Sequence, residues 1–323
     1  MVTNIYVTNW LHKYYFQKNE KLTYHSCMNR SITLLLLILT MLFWAVNFHI
    51  TKIALVHYSP MAVAFWRFLF GVIILIGVLV VQYGKGLSNI RISLKTFGLI
   101  CLVSFFGIFL TIYFFNKGLQ TASAVSGSLI LATSPIMTAI LAFFFLNRRF
   151  SPIQLFAMTI SITGVIILLV KGDFTRLIAM KLETGDLYIL GMALVFSLSQ
   201  ILVDKYLSGI NSILMTTISV IIGLLMFAAV STPELLSSPV PDEWPFWASV
   251  GFMGILGTGV GYVAFYHAVV KLGATTTALY GNLIPLFTVL LAVPFKEEVH
   301  ASQLIGGLVI VLGLLLFGQS KKR

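Results

Sequence analysis

Long apolar runs recur along the whole chain, separated by short polar or Gly/Pro-containing stretches. Each is about 20 residues long, the length a helix needs to cross the hydrocarbon core of a bilayer. The pattern predicts ten membrane-spanning helices, at 33–54, 61–82, 96–116, 121–145, 152–170, 187–207, 212–231, 246–268, 275–295 and 301–318. Continuous apolar runs exclude a transmembrane β-barrel, whose strands alternate apolar and polar positions over short segments. The expected fold class is an all-α polytopic membrane protein.

Composition agrees: 59% of the 323 residues are hydrophobic and 10% charged, against about 25% charged in soluble domains. The net charge of +11 changes the picture through its distribution. With the N-terminus cytoplasmic, fourteen Lys/Arg fall on the inner side and five on the outer, leaving Lys52 and Arg67 within spans. That bias predicts a multi-pass protein of the cell (inner) membrane with both termini cytoplasmic. Membrane orientation accounts for the basic excess, so no nucleic-acid partner is expected. Cys27 and Cys101 form neither a disulfide framework nor a metal spacing. Residues 1–30 are expected to be a disordered tail, and 319–323 a short basic one.

Two stretches lie over one another at a constant offset of 150. FFNKGLQTASAVSGSLILATSP (114–135) matches AFYHAVVKLGATTTALYGNLIP (264–285), with Gly107 on Gly257 and Pro135 on Pro285. Near the start of each half, LFWAVNFHITK (42–52) faces LVFSLSQILVD (194–204) at an offset of 152. Each half holds five spans, an odd number, so the second half must be inserted upside down. The halves are 31–170 and 187–318, joined by a linker at 171–186. Inverted repeats are a recurrent transporter design, with the substrate near the midplane between the halves. Inversion also predicts that LNRRF (146–150) lies inside and FKEEVH (295–300) outside.

Several short motifs occur in order: WAVNFHITK, then SP at 59–60, then Arg67, then a small-residue-rich span ending SP at 134–135, then the LNRRF corner before a Gly-bearing span. This succession, present twice in outline, resembles the EamA-type drug/metabolite transporter superfamily. The resemblance covers about residues 31 to 318 and implies a five-helix unit present twice, with spans 5 and 10 peripheral. Members move small metabolites, amino acids included, across the bacterial inner membrane, and many export them. One departure is Arg148, where the family usually carries glutamate. Glu297 or Glu298 keeps the acid in the second half.

Candidate chemistry clusters on a few positions. Pro135 and Pro285 interrupt spans four and nine at matching places, and paired interruptions point to a transporter site. Membrane helices also tolerate proline for structural reasons. Ser128 lies nearby in a stretch that also suits close helix packing. Trp44, Asn47, Phe48 and Thr51 share a helical face, with Lys52 at its edge. Tyr262 and Tyr266 are one turn apart on span eight. Gln200 sits one residue from the repeat position of Asn47, and Tyr280 and Asn282 adjoin Pro285. Arg67 lies about 10 Å of helix rise beyond Pro60. It snorkels to the surface or bonds a carbonyl structurally, or else it faces an anion, and Arg67 or Lys52 would meet a substrate carboxylate or phosphate.

No catalytic residue, metal site or cofactor is expected, because GxSxG, HExxH and the nucleotide P-loop are absent from the sequence. The expected function is secondary transport, with export favoured, of a small polar or zwitterionic metabolite by alternating access. A non-transporting membrane subunit or a lipid-handling protein is the alternative. The partners expected are the metabolite and the lipid bilayer, and a homodimer is left open.

Overall fold

The computed structural model describes residues 29–84, 92–170, 184–238, 241–295 and 301–319. All secondary structure among them is helical. In chain order the helices are α1 (Arg30–Ala54), α2 (Pro60–Tyr83), α3 (Leu94–Leu119), α4 (Ala124–Leu146), α5 (Pro152–Val170), α6 (Thr184–Leu207), α7 (Ser212–Ser237), α8 (Trp244–Leu272), α9 (Ala274–Leu291) and α10 (Ala301–Gln319). Among the described residues, eight of these, α1–α4 and α6–α9, are long and apolar enough to cross a membrane by length and composition. The protein is thus an all-helical polytopic membrane protein. Most of the expected 1–30 tail, the 171–186 linker and the 319–323 tail lies outside the described residues, as do Glu297 and Glu298.

Side chains explain the pairings. α1 packs on α8 and α9, and α6 on α3 and α4; α2 faces α7, and α5 pairs with α10. Glycines let the backbones close up. A Cβ at Gly254 would stand 2.5 Å from the Arg67 carbonyl oxygen, so α2 and α8 touch only because none is there. Exposed Phe143, Phe144, Leu155, Phe156 and Leu308 face outward from α4, α5 and α10, which suits lipid contact.

Five helices depart from regular α geometry: α6 ends in a π-helical turn over Val203–Leu207, and four others depart where the core polar groups gather. α3 widens to a π-helix over Phe105–Leu110, and α8 over Met253–Val260. α4 breaks between Leu131 and Ser134, and α9 between Tyr280 and Leu283. Pro135 has no N–H for the Leu131 carbonyl, so the turn closes through shorter-range bonds, Thr133 N to Ile130 O and Ile136 N to Thr133 O. Pro285 sits just beyond the second break, where Ile284 N donates to Gly281 O.

One boundary differs from the sequence pattern in an informative way. The span expected to end at residue 231 continues through Pro233 to Ser237. The extra turn carries Glu234, whose Oε1 accepts from Ser59 N at 2.8 Å and whose Oε2 accepts from the Ser59 hydroxyl. Proline reads as a stop in sequence, yet the helix continues and its carboxylate meets the positive N-terminus of α2.

At the opposite end, Asp204 Oδ2 accepts from Arg148 Nη2 and from Ala274 N, both at 2.9 Å. Arg148 packs against Gly273, whose φ of +86° suits glycine. The residue that departs from the family pattern thus ties the end of α4 to α6 and to the start of α9. Asp204→Ala strips both donors of their acceptor and should cost about 1–3 kcal/mol. A lowered thermal unfolding midpoint of the detergent-purified protein, reversed only in part by Asp204→Asn, is the expected measurement.

Candidate functional site

A cavity of about 40 Å³ lies where α1, α2, α3, α4, α6, α8 and α9 meet. From α1 it is lined by Trp44, Asn47 and Phe48, and from α2 by Arg67. α3 adds Thr111, Ile112 and Phe115, while Leu131 and Ile284 come from beside the breaks in α4 and α9. Met192, Phe196 and Tyr262 close it. This volume has room for a few water molecules and is too small, as it stands, for a larger molecule.

Arg67 is 3% exposed, and its Nε donates to Thr258 Oγ1 at 3.0 Å. It points inward and does not snorkel. The guanidinium also lies 5.7 Å from the Phe68 ring centroid, and no carboxylate pairs with it among the described residues. A charge taken out of water is normally paired or hydrogen-bonded on most of its donors. Four of the five N–H groups here have no protein acceptor among the described residues.

Asn47 adds a second unsatisfied group: both its amide atoms are buried with no hydrogen-bond partner among the described residues. The α1 face holds it against Gly257, where a Cβ would lie 2.5 Å from Nδ2. One turn earlier, Trp44 Nε1 donates to Gly257 O at 2.9 Å. The Trp44 ring stands 5.0 Å from Phe265, 5.6 Å from Tyr262 and 5.7 Å from Phe196. Phe48 meets Phe115 edge to face at 4.9 Å. The arrangement is an aromatic box with one cation and one free amide, suited to binding.

The EamA-like transporter family model matches the chain twice, over residues 31–170 and 183–319. The chain belongs to the EamA-like transporter family. Its relatives include an uncharacterized transporter of Bacillus subtilis, YyaM, 25% identical over 277 residues, covering 85% of this chain and 89% of the relative. An uncharacterized transporter of Archaeoglobus fulgidus is 26% identical, covering 88% and 97%. A solved structure described only as a protein crystal structure shares the fold, with TM-score 0.68 at 18% identity over 91% of this chain and 100% of that one.

In this EamA-like protein, Trp44, Asn47, Phe48, Arg67 and Tyr262 come together in the cavity. The other sequence candidates stand outside its lining. Lys52 Nζ donates to Ala122 O at 3.0 Å, holding the turn after α3. Ser128 donates to Val125 O within its own helix. Asn282 Nδ2 donates to Ser161 Oγ at 2.9 Å and fastens α9 to α5. Tyr266 is buried with its hydroxyl beside Gly107, and Tyr280 is half-buried. Gln200 is fully buried, and both its amide atoms lack partners among the described residues.

The sequence pattern marks neither Thr258 nor the lining residues Thr111, Phe115, Met192 and Phe196. Thr258 sits in GTGVG, which reads in sequence as a packing segment, and nothing local marks its hydroxyl as the partner of Arg67. Phe196 could have been found, because it occupies the repeat position of Trp44.

Asn47→Leu should relieve two unpartnered buried atoms while keeping the volume. A higher unfolding midpoint, equivalent to about 1–2 kcal/mol, together with loss of ligand-induced stabilisation is expected by thermal-shift measurement on the purified protein.

Proposed function

We propose that the chain is a secondary transporter that exports a small polar or zwitterionic metabolite, such as an amino acid, across the inner membrane by alternating access. The observation carrying this reading is Arg67: a fixed cation, buried without a carboxylate partner among the described residues, in a cavity shared by helices of both family-model matches. In this reading ten helices cross the membrane as two inverted five-helix repeats, with both termini cytoplasmic.

Duplicated packing supports the two-fold repeat, and five helices in each half then call for inversion. Gly257 closes on Asn47 as Gly107 closes on Ser199, and Gly71 closes on Thr258 as Gly223 closes on Ile108. The members of each pair fall at offsets of 150 and 152. The π-helical turns of α3 and α8, and the breaks in α4 and α9, likewise fall at matching positions. Lys52 holds the Ala122 carbonyl as Asp204 holds the Ala274 amide. A two-fold exchange of α1–α5 with α6–α10 converts every pairing of the core into another observed one. Two such halves rocking about the cavity would expose it to each side in turn.

A non-transporting subunit would be expected to pair its buried polar groups with one another. Asn47 and Gln200 are not so paired, which favours transport. The purified protein in liposomes is expected to give saturable efflux of at least one class among labelled amino acids, organic acids, sugars and nucleosides. Arg67→Gln should lower that flux at least tenfold without lowering the unfolding midpoint. Absence of flux for every class, with folded protein, overturns the reading.

A further inference from the structure

We infer that the transported species is a net anion, a monocarboxylate with an apolar or aromatic body, and that its movement is electrogenic. This rests on the transport reading above and replaces its zwitterionic substrate class with an anionic one. The cavity lining holds one fixed charge, Arg67, and no acidic residue. Arginine stays protonated throughout any transport cycle, so the site cannot discard its charge to suit a neutral cargo. A carboxylate answers it with planar, bidentate hydrogen bonds, and the Nη groups left free by the single Nε–Thr258 bond are the donors for that geometry.

A zwitterion fits less well. Its ammonium would lie within one small-molecule length of Arg67 in a low-dielectric interior, where like charges repel strongly. Among the lining residues it would find no carboxylate. The cavity offers only neutral groups, the Asn47 oxygen, the Thr111 and Tyr262 hydroxyls and the faces of aromatic rings. A hydroxyl in place of the ammonium removes the repulsion and still satisfies the Asn47 amide, whose two atoms can serve a donor and an acceptor together. Trp44, Phe48, Phe115 and Phe196 then enclose an apolar body.

Direction follows from the charge. When a monoanion crosses bearing no compensating ion, an inside-negative membrane potential drives it outward. The gain is about 50-fold in concentration ratio per 100 mV, equivalent to about 2.3 kcal/mol per charge. Export thus needs no ion-binding carboxylate in the spans, and none lines the cavity.

Matched pairs test this, each differing only by hydroxyl for ammonium: lactate and alanine, 2-hydroxyisocaproate and leucine, 4-hydroxyphenyllactate and tyrosine. The full chain is reconstituted in liposomes, and flux and charge displacement are recorded under an imposed potassium diffusion potential. At least one hydroxy acid is expected to move tenfold or more faster than its amino-acid partner. Its flux should carry negative current and its final ratio should shift about 50-fold per 100 mV. Arg67→Gln is expected to abolish the current and Arg67→Lys to retain part of it, neither with a lowered unfolding midpoint. Equal or faster amino-acid flux, or hydroxy-acid flux indifferent to potential, overturns the inference and leaves the transport reading standing. So does flux confined to neutral sugars or nucleosides. Silence across both this panel and the broader one overturns both.

Discussion

A single buried cation organises the centre of this protein. Arg67 stands in the middle of a helical bundle with one hydrogen bond to Thr258 and the face of Phe68 beside it. In an environment where water is scarce, an unpaired guanidinium is costly. The surrounding structure bears that cost by other contacts. The close approach of α2 to α8 through Gly71 and Gly254 places the Thr258 hydroxyl within reach, and the widened turn over Met253–Val260 presents it.

The same departures from regular helix that shape the cavity are the ones that tertiary packing must sustain. A π-helical turn or a proline break leaves backbone groups without their usual partners. Membrane interiors tolerate this only where protein or a water-lined cavity surrounds it. Here Trp44 supplies a donor to Gly257 O, and short-range turn bonds close the breaks of α4 and α9. What is left unsatisfied is side-chain chemistry, Asn47 and Gln200 above all. Irregular backbone is thus stabilised while binding groups are kept free.

The charges at the two ends do different work from the charge at the centre. Lys52 and Asp204 occupy corresponding places in the two halves and carry opposite signs. Each holds the turn that precedes a broken helix, one through a carbonyl and the other through an amide. Arg148 strengthens the second of these. Lys52 therefore looks alike to Arg67 in sequence, a cation in an apolar run, yet its ammonium is used by the scaffold.

The apolar runs determined the helical, polytopic fold without help, because a span of about 20 apolar residues has one stable form in lipid. Internal similarity likewise marked Pro135 and Pro285 and, through Trp44, could have marked Phe196. Legibility stopped where chemistry depends on contacts between distant segments. Trp44, Asn47, Phe48 and Tyr262 were legible as a face or a pair of turns, but that they meet Arg67 in one cavity was not. Ser128, Asn282 and Lys52 carry the same residue types and bond to the protein itself. Whether a polar side chain serves packing or a ligand is decided by what stands opposite it, a position set by helix pairing across more than a hundred residues of sequence. Composition and periodicity act locally and so determined the elements, while the direction of Arg67, inward to Thr258 rather than outward to the surface, was decided only by the tertiary structure.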